Sequence, residues 1–188
     1  MSGEAASNGM PVAEIERIYR EKARAELAEA DRVAPGSDAV RSAGDPFAEV
    51  FLVKGGPGPA EVSGGAALSG PDGAAVRKAL SALGFDPDSV FATVARPEAG
   101  IDPDLLRDRL VMQVEAVDPW VVLALDAEAA AEVAAAFGLG SLPFGKPVHA
   151  SGRVFAAVEG LEASLADERA KRRVWSQMQA VEVRPPAL

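Results

Sequence analysis

Cysteine is absent from this 188-residue chain, which excludes disulfides, thiolate zinc sites and iron–sulfur clusters. Histidine occurs once, at His149, and a single imidazole cannot by itself build a metal site, so no metal and no cofactor are expected. Aromatic residues make up 5% of the chain, while all apolar types together make up 48%. The core therefore has to be built from Ala, Val and Leu packed at short range. Long apolar runs are missing too: none reaches the roughly 20 residues that cross a bilayer. Residues 1–10 are small and polar and lack the basic-then-apolar order of a signal peptide. A cytoplasmic location and no membrane partner are the expectation. Basic residues are outnumbered, 19 Lys and Arg against 28 Asp and Glu, for a net charge of -9. That balance argues against a broad cationic face for nucleic acid and leaves room only for a local patch.

The apolar content is high enough for one folded domain, and the length is too short for two comfortable ones. Residues 1–11 read as a flexible N-terminal tail, and residues 12–188 as a single domain. Helical spacing of Ile15, Ile18 and Tyr19, with Glu and Arg on the other face, predicts a helix over 12–30. Residues 34–46 (APGSDAVRSAGDP) are rich in breakers and read as a loop. The run EVFLV at 49–53 predicts a buried strand entering a glycine turn. A second loop covers 62–70. Pro71 and Asp72 then open a helix whose Val76, Leu80 and Leu83 share one side, with Gly84 as its stop.

Strands are expected again at 89–94 (SVFATV), 120–125 (WVVLAL) and 153–158, the last with alternating character. Helices are expected at 102–117, 127–137 and 167–181, and Pro185 and Pro186 close the chain. Strands separated by helices imply parallel pairing through right-handed crossovers. The expected fold is α/β, a three-layer α/β/α sandwich around a small, mainly parallel four-stranded sheet. Ligands in such folds sit at the carboxyl ends of the strands. The loops after Val53, Val94, Leu125 and Val158 are thus the ones to inspect.

Five features carry chemistry or imitate it. The glycine loop Gly55, Gly56, Pro57 and Gly58 leaves a strand and would let a ligand approach the backbone, or is simply a flexible strand exit. Residues 140–146 (GSLPFGK) have phosphate-loop spacing, but Pro147 stands where a hydroxyl is needed and the segment follows a helix, so the match is accidental. His149, in a loop before the last strand, has no nucleophile motif beside it and receives no catalytic role. Arg169, Lys171, Arg172 and Arg173 form a local basic cluster, either candidate phosphate contacts or a solvated face paired with Asp167 and Glu168. The acidic stretches at 26–31 and 102–108 interleave with Arg and read as solvated surface, with no carboxylate pair suited to acid–base work.

The order of these landmarks resembles the uracil-DNA glycosylase superfamily, most closely its iron–sulfur bacterial branch, over residues 12–181. FLVKGGPG (51–58) is similar to the first strand and water-activating loop of that branch. GAALSGPDGAAVRKALSALGF (65–85) resembles the loop of the base-stacking Phe and its following helix. SVFATVARP (89–97), DPWVVLAL (118–125) and KRRVWSQMQ (171–179) resemble the strand of the uracil-reading Asn, the third strand and the closing helix.

The resemblance implies functional residues that this sequence lacks. The water-activating Glu falls on Gly55, the stacking aromatic on Leu68 and the uracil-reading Asn on Val94. The His-Pro-Ser loop falls near Gly160, Leu161 and Glu162, and the cluster cysteines near Lys22, Ala25, Ala95 and Leu106. Base excision needs a flipped base held by stacking and edge contacts, and stabilisation of the departing anion. Val94, Leu68 and Gly55 supply none of these, so no catalytic residue is assigned. The pocket is expected to be small and apolar.

The implied function is a degenerate glycosylase-like protein without base-excision activity, a pseudoenzyme serving as a nucleic-acid-associated, nucleotide-binding or protein-interaction module. The alternative is an active but divergent glycosylase in DNA repair, using backbone amides of the glycine loop. A third is a structural partner protein that docks through Ala- and Leu-rich surfaces. Weak DNA binding is expected from the net charge.

Overall fold

The computed structural model describes residues 11–181. The expected tail at 1–11, except Pro11, and the closing Pro185 and Pro186 lie outside the described residues. The described elements run α1 Val12–Asp31, β1 Ala43–Gly44, β2 Val50–Lys54, α2 Pro59–Val62, α3 Pro71–Ala82, β3 Val90–Val94, α4 Pro103–Val117, β4 Val121–Ala124, α5 Ala127–Ala136, β5 Val148–Ala150, β6 Arg153–Ala157, α6 Leu161–Ser164 and α7 Glu168–Met178.

The fold is mixed α/β around one sheet of six strands in the order β1-β3-β2-β4-β6-β5. The four central strands are parallel, as the alternation of strands and helices predicts. The expectation of four strands is corrected by two short edge strands, both antiparallel. β1 has two residues inside the stretch read as a loop, and β5 has three and carries His149, also read as loop. Neither is long enough to leave a periodic signature.

The central strands alternate between two apolar layers, as the pleat demands. Val50, Leu52, Ala92, Val121, Leu123, Val154 and Ala156 face Val76 and Leu80 of α3 and Val174 and Met178 of α7. Phe51, Val53, Phe91, Val122, Ala124 and Phe155 face Leu110 and Val114 of α4 and the alanines of α5. Stacked Phe51 and Phe91 and the Phe137–Phe155 pair lie in this second layer, while Phe85 and Trp120 belong to the first. Strand β6 is buried at every position, including Arg153, so its alternating character is corrected: helices cover both its faces.

Chain order fixes where a site can form. From β2 the chain crosses to β3 on one side and then returns to β4 on the other. This reversal opens a crevice beyond the carboxyl ends of β2 and β4, the usual position of ligand sites in open α/β sheets. No helix among the described residues is long and apolar enough to cross a membrane.

Candidate functional site

Lys54 is the last residue of β2 and, by the alternation of that strand, points to the α3 side at the sheet's rim. It is 5% exposed. A buried ammonium requires carboxylate partners, and three surround it. Its Nζ donates to Asp72 Oδ2 at 2.7 Å and to Glu61 Oε2 at 3.1 Å, and pairs with Glu162 Oε2 at 2.8 Å. Burial pulls the ammonium down, but hydrogen bonds to Asp72, Glu162 and Glu61 outweigh it and hold Lys54 above its ordinary value. Lys54 therefore stays protonated and is not available as an amine nucleophile.

Local structure brings the acids there. Glu61 lies in α2, where it also accepts from the backbone N–H of Gly58 at 3.0 Å and of Leu68 at 2.8 Å. Asp72 sits in the first turn of α3, where the helix dipole favours a negative charge. Glu162 is on α6 and reaches in from a half-exposed position. Asp126, directly after β4, caps α5 through Ala129 N–H and accepts from Gly55 N–H at 2.9 Å. This last bond joins the exits of β2 and β4 across the crevice.

The glycine loop is explained by these neighbours. A Cβ at Gly58 would fall on the Lys54 ammonium, and one at Gly55 would lie 2.6 Å from Asp126 Oδ1. The chain's own side chains make the close approach that the sequence suggested for a ligand. Gly56 and Pro57 turn away from the cluster and line a separate depression of about 500 Å³ with Arg96, Glu98 and Glu128.

Of the other pocket candidates, Leu68 and Val94 are brought together in one apolar cluster. Leu68 is buried with a left-handed backbone, φ 55°, held by its N–H bond to Glu61. Val94 lies beside Lys54 in the parallel register. Gly160 caps α6, pairs with Asp126 and lines the remaining cavity with Lys54, Asp72, Asp126 and Glu162. That cavity is about 190 Å³, below the roughly 300 Å³ of ordinary small-molecule sites. Leu125, Leu161 and Ala163 line it beside these charged groups.

The basic cluster lies apart on α7. Lys171 is paired with Glu168 and Arg173 with Glu159, both at 2.6 Å. Arg169 and Arg172 are exposed and make no ion pair among the described residues. Of the four positions matched to cluster cysteines, Ala95 and Leu106 are buried and Lys22 and Ala25 are exposed. The acidic stretch at 26–31 is not wholly solvated surface: Asp31 binds buried Arg109 at 2.9 Å and Gln113 at 2.8 Å, tying α1 to α4.

Sequence reasoning missed Lys54, Glu61, Asp72, Asp126 and Glu162. A signal was present: a lysine closing a wholly apolar strand has to find a counter-charge, and acids follow at short separations. No family model matches the sequence, and no curated protein matches it significantly.

Chemically, the site sets one ammonium against three carboxylates, with a fourth at Asp126. No aromatic ring and no side-chain amide lines the cavity. Such an arrangement cross-links the rim of the sheet to α2, α3 and α6, and it repels negative charge developing within it.

Proposed function

We propose that the chain is a degenerate member of the uracil-DNA glycosylase superfamily, with that fold and without base-excision activity, acting as a nucleic-acid-associated or protein-interaction module. One observation carries the absence of excision: Lys54 and its three carboxylates fill the rim of the crevice. Cleavage of a glycosidic bond in this position would release a base anion into excess negative charge, where catalysis needs the opposite. Leu68 and Val94 supply neither a π face nor a hydrogen bond for a flipped base. The fold assignment is supported by the order of landmarks over residues 12–181 and by the parallel sheet with helices on both faces.

The test is incubation of the purified protein with single- and double-stranded uracil DNA and with a panel of deaminated and alkylated bases. No abasic sites are expected. Abasic sites whose formation Asp126→Asn abolishes would overturn the proposal in favour of a divergent repair glycosylase. Nucleic-acid association would run through Arg169 and Arg172, the cations of α7 without an ion pair among the described residues. Binding should be weak even at low salt, and replacing both with Ala should lower the salt slope by about one per residue.

A further inference from the structure

Among the described residues, the N-terminal half of α1 is tied down through Arg20, which binds Asp45 at 2.6 Å and lies over the Phe47 ring, and it buries no side chain. The buried face of this helix consists of Ala23, Leu27 and Ala30, all in its second half. None of residues 12–22 is buried, and at 1.5 Å per residue that half extends about 16 Å. A helical segment of this length is marginal in water with so little tertiary burial. Yet it carries Val12, Ile15, Ile18 and Tyr19, exposed by 81%, 37%, 42% and 59%. Val12, Ile15 and Tyr19 follow one another at helical spacing on one face. They line a groove of about 660 Å³ whose other wall is Phe47 with Glu115, Ala116, Val117 and Asp118 at the end of α4.

We infer that this groove is a self-association surface, occupied by α1 of a second copy lying antiparallel across it, with the two-fold axis at Tyr19. The charges select this occupant. Glu16 and Lys22 both line the groove and stand three positions on either side of Tyr19. An antiparallel pair centred on Tyr19 sets each Glu16 level with Lys22 of the other copy, so the face is complementary to itself, as an isologous interface requires. Both charges are loosely held in the single chain, Glu16 to Arg20 at 3.4 Å and Lys22 to Glu26 at 3.5 Å. On the opposite face of the helix, Arg17 is bound at 2.7 and 2.6 Å by Glu14 and Glu21. Of the other charges lining the groove, Glu115 and Asp118 are bound by Arg153 at 2.9 and 2.8 Å and Glu26 shares Lys22, which leaves Glu16 and Lys22 as the loosely held pair that can exchange partners.

Sedimentation of the full chain over a wide concentration range tests the inference, with circular dichroism to verify that each variant keeps its helices. A reversible dimer is expected. Tyr19→Asp should weaken it by about 30-fold or more, the effect of losing a central anchor. Glu16→Lys and Lys22→Glu should each weaken it several-fold, and the double variant should restore it because both cross-copy pairs are re-formed with reversed sign. A chain that stays monomeric at every concentration overturns the inference. So does a dimer indifferent to Tyr19→Asp, or one that the double exchange fails to rescue.

Discussion

Two of the buried cations, Lys54 and Arg109, lie at opposite faces of the sheet and are provided for unequally. Lys54 has three carboxylates within 3.1 Å. Arg109, 1% exposed on α4, has one, Asp31; its other hydrogen bonds go to Val94 O at 3.0 Å and Thr93 Oγ1 at 3.2 Å. Arg109 Nε and Gln113 Oε1 are buried without a partner among the described residues. Burial lowers the Arg109 guanidinium more than Asp31 restores it, whereas the Lys54 ammonium is raised. Lys54 is over-compensated and Arg109 under-compensated. The first arrangement fixes the loops at the rim, and the second anchors a helix that touches the rest of the domain mainly through α4.

That difference predicts a hierarchy. Lys54→Met leaves Glu61 and Asp72 buried without a counter-ion and should cost about 3–5 kcal/mol in urea unfolding. Adding Glu61→Gln and Asp72→Asn should recover a large part of the loss, since neutral partners need no cation. Arg109→Met removes a cation that was already poorly satisfied and should cost less, about 2–3 kcal/mol. A larger loss at Arg109 than at Lys54 would break the comparison. Gly58→Ala should cost about 1–2 kcal/mol because its methyl displaces the Lys54 ammonium, while Gly56→Ala, which meets nothing closer than 3.5 Å, should stay within about 0.5 kcal/mol.

A small effect is also expected in the pH dependence at Glu132. Burial raises this carboxyl, but hydrogen bonds from Arg96 and Arg107 prevail and leave it below its ordinary 4.5. A depressed carboxyl stabilises the fold above the unfolded value, and that contribution is lost as pH falls through the folded value. Glu132→Gln should therefore flatten the decline in stability below about pH 4.5 by under about 1 kcal/mol, the two arginines being partly exposed.

The central strands and long helices were legible because a continuous apolar run, as in β2, or an apolar period, as in α4, persists over four or more residues. The edge strands were not, since two or three residues carry no period. The site was partly legible: Glu61 and Asp72 lie 7 and 18 residues from Lys54, close enough to suspect. Asp31 and Arg109 lie 78 residues apart, and only the packing of α1 on α4 joins them. The exposed stripe on α1 was misleading in the other direction. Ile15, Ile18 and Tyr19 have the spacing of a core face, and spacing alone does not say whether the core or another surface receives it.

The two outer strands have a consequence for aggregation. An unpaired strand edge is a template on which further chains can polymerise into β-fibrils. Here each edge offers only two or three residues, and each runs antiparallel to its neighbour. The hydrophobic parallel strands that could propagate such growth are sealed between these stubs, so the molecule resists edge-to-edge extension of its sheet even though its interior is rich in valine.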